Sequence, residues 1–120
     1  MSENIRVFSI VGRFLEHARV FVFGLKEDEQ FFLASADWMP RNFYRRVEVL
    51  FPIEGERLRE KIRREVIEPA LNDNCRAQDL DSEGNYQRRR PREADPERDA
   101  QLAVLNRIVR HGLRAVHPAG

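Results

Sequence analysis

The chain has 120 residues, 42% of them hydrophobic and 34% charged, with a net charge of +1. That is enough for one small domain and one core, with a heavily charged surface and no overall electrostatic pull on nucleic acid. No apolar run approaches the roughly 20 residues of a membrane helix, and residues 1–6 have neither the basic start nor the apolar stretch of a signal peptide. Cys75 is alone, which excludes an intrachain disulfide and a cysteine zinc cluster and makes the cytoplasm the expected compartment. Of the 21 basic residues only Lys26 and Lys61 are lysines; the other 19 are arginines. Biased composition explains that, and so does contact with a polyanion, since a guanidinium suits bidentate phosphate binding.

Residues 5–11 alternate and then turn wholly apolar, which predicts a strand buried on at least one face. Gly12 breaks it, and residues 13–16 form a short turn. Residues 19–23 predict a second strand, rich in β-branched and aromatic side chains. A polar loop over residues 24–29 returns the chain into a third strand at 30–35, and Pro40 stops any continuation. Residues 45–53 predict a fourth strand. The period then changes: Leu58, Ile62, Val66, Ile67, Ala70 and Leu71 recur at helical spacing, with Pro69 near the end to kink or terminate the helix. After the breaker Asn72-Asp73-Asn74, residues 75–80 and 85–90 flank a hairpin turn at residues 81–84. Asp95-Pro96-Glu97 predicts the start of a final helix, with Asp95 as N-cap and Gly112 as C-cap. Four strands, a helix, a hairpin and a last helix make an α+β sandwich with helices on the sheet. A chain that begins directly with a strand reads as a piece of something larger.

Two polar stretches carry the candidate chemistry. In the first, His17 and Arg19 stand two residues apart where polar sequence meets a strand, so their side chains leave the backbone on the same side. An imidazole exchanges protons or accepts a phosphoryl group near neutral pH, and a guanidinium clamps two phosphate oxygens. His17 is equally readable as an ordinary strand-edge histidine. The second stretch, residues 34–42, ends the third strand. Asp37 and Trp38 read either as part of the same phosphate-binding cleft or as a carboxylate and an aromatic bracing a turn. Arg41, beside Asn42, is a surface charge, a phosphate donor or a partner for Asp37. The basic tract at residues 88–92 reads as a solvated strand end or a polyanion contact. His111 suits the C-terminal end of the last helix, and His117 lies in the tail. No HxH or HExxH spacing, glycine-rich phosphate loop or nucleophile elbow occurs.

Residues 2–7, 9–17 (Ser-Ile-Val-Gly-Arg-Phe-Leu-Glu-His), 35–42 (Ser-Ala-Asp-Trp-Met-Pro-Arg-Asn) and 45–53 (Arg-Arg-Val-Glu-Val-Leu-Phe-Pro-Ile) closely resemble the C-terminal domain of bacterial polyphosphate kinase. Asp73, Asn74, Leu80, Gly84, Tyr86 and Arg88 are similar to that family's closing hairpin. The likeness implies a phospholipase D-like mixed β-sheet packed with helices, incomplete relative to the full-length enzyme. It divides the chain into a catalytic-type domain at 1–95 and a helix and tail at 96–120.

The activity implied is transfer of the terminal phosphate of ATP to polyphosphate through a phosphohistidine, with Mg2+. By that resemblance His17 is the second-domain histidine, which assists as acid or base. His17, Arg19, Arg13 and Arg41 would meet ATP or phosphate, with Ser35, Asp37 and Asn42 supporting the site. The histidine that becomes phosphorylated, the magnesium-binding region and the nucleotide-stacking tyrosine lie upstream in that family. The 120 residues alone are therefore expected to be inactive and to hold neither ATP nor Mg2+ tightly. Polyphosphate and ATP or ADP are the expected partners, with self-association through the uncovered sheet, no nucleic acid and no membrane span. Peripheral membrane association is compatible with this. Two alternatives remain: a phospholipase D-type phosphodiesterase built as a dimer, against which stand Arg19 and Asp37 in place of that motif's lysine and asparagine, and a polyphosphate-binding module.

Overall fold

The computed structural model describes residues 3–25 and 28–116, without the side chains of 111–116. The elements in order are β1 (Val7–Ile10), β2 (Val20–Phe23), β3 (Gln30–Ala34), α1 (Pro40–Arg45), β4 (Leu50–Ile53), α2 (Glu56–Ile62), α3 (Glu68–Leu71), β5 (Ala77–Leu80), β6 (Tyr86–Arg88) and α4 (Ala100–Val116). A π-helical segment, Arg63–Ile67, lies between α2 and α3. The class is α+β, and the described strands form two antiparallel three-stranded sheets, β1-β5-β6 and β2-β3-β4. They belong to two compact units, residues 1–15 with 64–120, and residues 16–63.

In the first unit β5 is central, with Val7 opposite Leu80 and Leu80 opposite Tyr86. The hairpin turn is where the sequence places it. Asp81 Oδ1 accepts the backbone N–H groups of Glu83 at 2.9 Å and Asn85 at 2.8 Å, and Gly84 takes a φ of 91° that a side chain would oppose. The residues read as a mere breaker turn out to organise this unit. Asp73 is 1% exposed. Its Oδ1 accepts the N–H groups of Cys75, Arg76 and Ala77, and its Oδ2 accepts that of Ala100. Burial pushes this carboxyl up, and the N–H groups of Ala100, Arg76, Ala77 and Cys75 outweigh that, leaving its pKa below the ordinary carboxylate value.

The last helix starts later than predicted. Asn74 pairs with the 96–98 segment in three places: its backbone N–H donates to the Arg98 carbonyl, its Nδ2 to the Pro96 carbonyl, and its Oδ1 accepts from Arg98 N. That holds residues 96–98 out of the helix, and Asp99 caps it instead, accepting from Leu102 N at 3.0 Å. The helix also runs through Gly112 to Val116, so Gly112 is no C-cap. His111 lies on α4 with its side chain outside the described residues, and His117 is outside them altogether. Gly12 has a use beyond ending β1. The Gln101 side chain brackets the neighbouring backbone, accepting from Phe14 N at 3.0 Å and donating to Phe14 O at 2.6 Å, and a Cβ on residue 12 would collide with it.

In the second unit β3 is central: its Phe32 faces Phe21 on β2, and its Phe31 faces Ile53 on β4. α2 serves the face that carries Phe31 and Ile53. Both are buried, as is Ile62; the Arg63 guanidinium lies 5.1 Å from the Phe31 ring, and Arg59 donates to the Glu29 carbonyl. The expected strand over residues 45–53 shortens to β4. Pro40 enters at the start of α1, where its missing N–H costs nothing, and the helix continues to Arg45. Ladder pairing then begins only at Leu50, opposite Ala34.

Candidate functional site

The end of β3 and the approach to β2 lie side by side in the second unit, since the Ala34 N–H donates to the Arg19 carbonyl at 3.0 Å. This backbone bond brings the two polar stretches together. Arg19 Nε donates to Asp37 Oδ1 at 2.7 Å, and Arg19 Nη2 stands 2.6 Å from the same oxygen. Arg19 Nη1 donates to the His17 carbonyl at 3.2 Å, and Nη2 lies 3.4 Å from His17 Nδ1. Asp37 is therefore held by Arg19, not by Arg41.

Two chemical consequences follow. A guanidinium only donates, so in the contact between Arg19 Nη2 and His17 Nδ1 the ring nitrogen can only accept. His17 is exposed, so its Nε2 is open to an outside partner. Second, the Arg19 fork is already directed at Asp37 and His17. Nε, Nη1 and Nη2 each have a partner there, and the guanidinium places positive charge beside the imidazole.

The supporting residues each do something different. Asn42 is 4% exposed and donates from Nδ2 to the Asp37 carbonyl at 2.9 Å, fixing the turn between β3 and α1. Its Oδ1 is buried without a hydrogen-bond partner among the described residues. Ser35 Oγ donates to Glu48 at 2.5 Å and accepts from Val49 N at 3.0 Å, continuing the β3–β4 pairing by side chain where the ladder stops. Arg41 is exposed on α1 with no ion pair among the described residues. Arg13 is exposed in the first unit, its guanidinium 6.0 Å from the Phe14 ring.

Two arginines of the basic tract are committed within the first unit. Arg88 donates to the Cys75 carbonyl at 2.9 Å. Arg89 forks onto Asp79 at 2.8 and 2.6 Å, donates to the Leu71 and Asp73 carbonyls, and lies 4.5 Å from the Phe8 ring. Both brace the first unit. Among the described residues no group of three or more His, Cys, Asp or Glu is placed to hold a metal ion. No helix among them is long and apolar enough to cross a membrane.

Fold and site together define an α+β chain that displays an imidazole, a guanidinium and a carboxylate linked by hydrogen bonds at a sheet end. The family model for polyphosphate kinase C-terminal domain 2 matches residues 1–101, and the chain belongs to that family. The polyphosphate kinase of Paraburkholderia phytofirmans is 50% identical over 108 residues, which are 90% of this chain and 15% of that protein. That of Pseudomonas syringae pv. tomato is 48% identical over 108 residues, 90% of this chain and 14% of that protein. The solved polyphosphate kinase of Porphyromonas gingivalis superposes with a TM-score of 0.77 at 35% identity, over 88% of this chain and 16% of that one. The chain thus spans about one sixth or less of the length of these relatives.

Proposed function

We propose that this domain supplies one wall of a polyphosphate kinase site, with a phospholipase D-like architecture and His17 as its assisting acid or base. The observation that carries the reading is the chain Asp37–Arg19–His17, which sets an exposed imidazole beside positive charge held by Asp37. In that role a protonated His17 gives a proton to a phosphate oxygen of departing ADP and is left as neutral imidazole, and the neutral ring takes one back in the reverse direction. Arg19 favours the approach of anionic phosphate, and Arg41 and Arg13 are further candidate donors. The phosphorylated histidine and the Mg2+-binding residues of the full enzyme belong to other parts of the family's sequence. The 120 residues alone bind polyphosphate weakly, transfer no phosphate and self-associate. The working compartment is the cytoplasm.

Titration of the purified chain with long-chain polyphosphate at two salt concentrations tests this. Binding should weaken with salt, because the contacts are to phosphate. His17→Ala and Arg19→Ala should each weaken it several-fold while leaving the circular dichroism unchanged. Unaltered binding in both variants would remove the site from this stretch. Polyphosphate synthesis from ATP by the purified chain would overturn its inactivity alone.

A further inference from the structure

α4 has two working faces. One meets its own unit: Ala100 is buried, and Val104 and Arg107, four and seven positions on, are half-buried. The other carries Leu102, Leu105 and Val109, exposed by 53%, 41% and 50%, with Ile108 beside them at 62%. A helix turns by about 100° per residue, so the line through 100, 104 and 107 and the line through 102, 105 and 109 lie on nearly opposite sides. The helix is therefore docked by one edge and presents a separate apolar stripe outward. Steps of three and then four residues are the spacing of a two-helix seam, and Val116 stands seven positions after Val109 in the sequence.

We propose that this stripe pairs α4 with α4 of a second copy of the chain, antiparallel about a two-fold axis. Charge selects that occupant and that direction. The segment leading into α4 carries Glu93, Asp95, Glu97 and Asp99 against Arg98 alone, whereas residues 100–110 hold Arg107 and Arg110 and no acid. An antiparallel pair sets the acidic end of each copy against the basic end of the other. A parallel pair would bring like charges and like helix-dipole ends together. The family model reaches only residue 101, so the stripe lies outside what the chain shares with that model, and a second copy supplies its complement. Overlap along most of the 17-residue helix sets Leu105 of one copy beside Val109 of the other, and the two-fold axis repeats the contact. Four half-exposed side chains per copy fall short of the roughly 800 Å² each partner gives a standard interface, so the pair is reversible and grows with concentration. The inference does not rest on the role of His17 or on what covers the β2-β3-β4 sheet.

Disulfide trapping tests this surface by itself, whatever other face also associates. Two versions of the full chain, Leu105→Cys and Val109→Cys, are mixed in equal amounts under mild oxidation. Peptide mapping assigns every bridge, so those made by the native Cys75 are counted apart. The mixed bridge between positions 105 and 109 should exceed either like-to-like bridge several-fold beyond the statistical share. A statistical mixture, or like-to-like bridges in the majority, overturns the antiparallel pair, and no bridge between these positions overturns pairing through α4. A second variant asks whether the stripe drives the contact. Leu102→Glu in both versions should cut the mixed bridge several-fold while the dilute chain keeps its circular dichroism spectrum and unfolding temperature. An unchanged yield of that bridge would mean that contact through another face brings the cysteines together, and the proposal falls.

Discussion

At the residue scale, Asp73 shows how one side chain can replace a length of regular structure. Four backbone N–H groups that no strand or helix would satisfy converge on its two oxygens. Removing such an acceptor strands buried donors, so Asp73→Ala should cost about 3 kcal/mol in a urea titration. The same carboxylate sets an acid limit. Its folded pKa lies below the unfolded value of about 3.9, so its stabilisation is fully present above that value and is lost as pH falls through the folded one. Asp79, lowered by its hydrogen bonds from Arg89, acts in the same direction, discounted for exposure. Urea midpoints should therefore drop between pH 5 and pH 2, and Asp73→Asn should flatten that dependence; a variant with the wild-type slope would contradict the assignment. Cys75 is the converse case. Burial, then the charges of Asp73, Asp99 and Glu97, push its thiol up, and Sγ donates to the Arg98 carbonyl at 3.3 Å. Alkylation by iodoacetamide at pH 8 should run several-fold slower than for an unstructured thiol and recover in denaturant.

At the element scale, the predicted helix over residues 55–71 is interrupted by a π-helical stretch for an identifiable reason. Pro69 has no N–H to offer the carbonyls four and five residues before it, those of Glu65 and Arg64. Arg107 Nη1 donates to the Arg64 carbonyl at 3.2 Å, and lies 4.0 Å from the Glu65 carboxylate. The widened turn is thus completed from α4. Arg107→Ala should cost about 1 kcal/mol in the parent and measurably less in a Pro69→Ala background, where the backbone supplies its own donor. Additive effects in that double-mutant cycle would separate the two residues. Pro69 was readable as a disturbance; its remedy was not, because Arg107 lies 38 positions away along the chain.

At the scale of the whole molecule, much apolar surface stays in solvent. Among the described residues only Phe31, Ile53, Ile62, Ala77 and Ala100 are buried hydrophobics, while Leu102, Leu105, Ile108 and Val109 of the α4 stripe are all more than 40% exposed. A 120-residue chain with so small a core depends on whatever covers these faces. Light scattering of the purified chain should show a mass above the monomer that rises with concentration. A clean monomer at high concentration would mean the exposed faces are tolerated without a partner.

Local pattern determined the elements that depend on nearby residues: the β2–β3 hairpin, the Asp81-to-Gly84 turn and the amphipathic final helix. It also placed His17 and Arg19 within reach of one another, because two residues of extended backbone return a side chain to the same side. The family, too, was legible in residues 2–92, from several long motifs in order. Tertiary structure decided what distant groups do to one another. It directed the Arg19 fork at Asp37 and the His17 ring, a link that the spacing of the three residues does not reveal. It made Asp73 and Asn74 the anchors of the 96–100 segment, moving the last helix start to Ala100. It committed Arg88 and Arg89 to backbone carbonyls. In each case the deciding quantity is the satisfaction of a buried or half-buried donor or acceptor by a group far away in the chain, and periodicity and propensity, which act over one or two turns, carry no record of it.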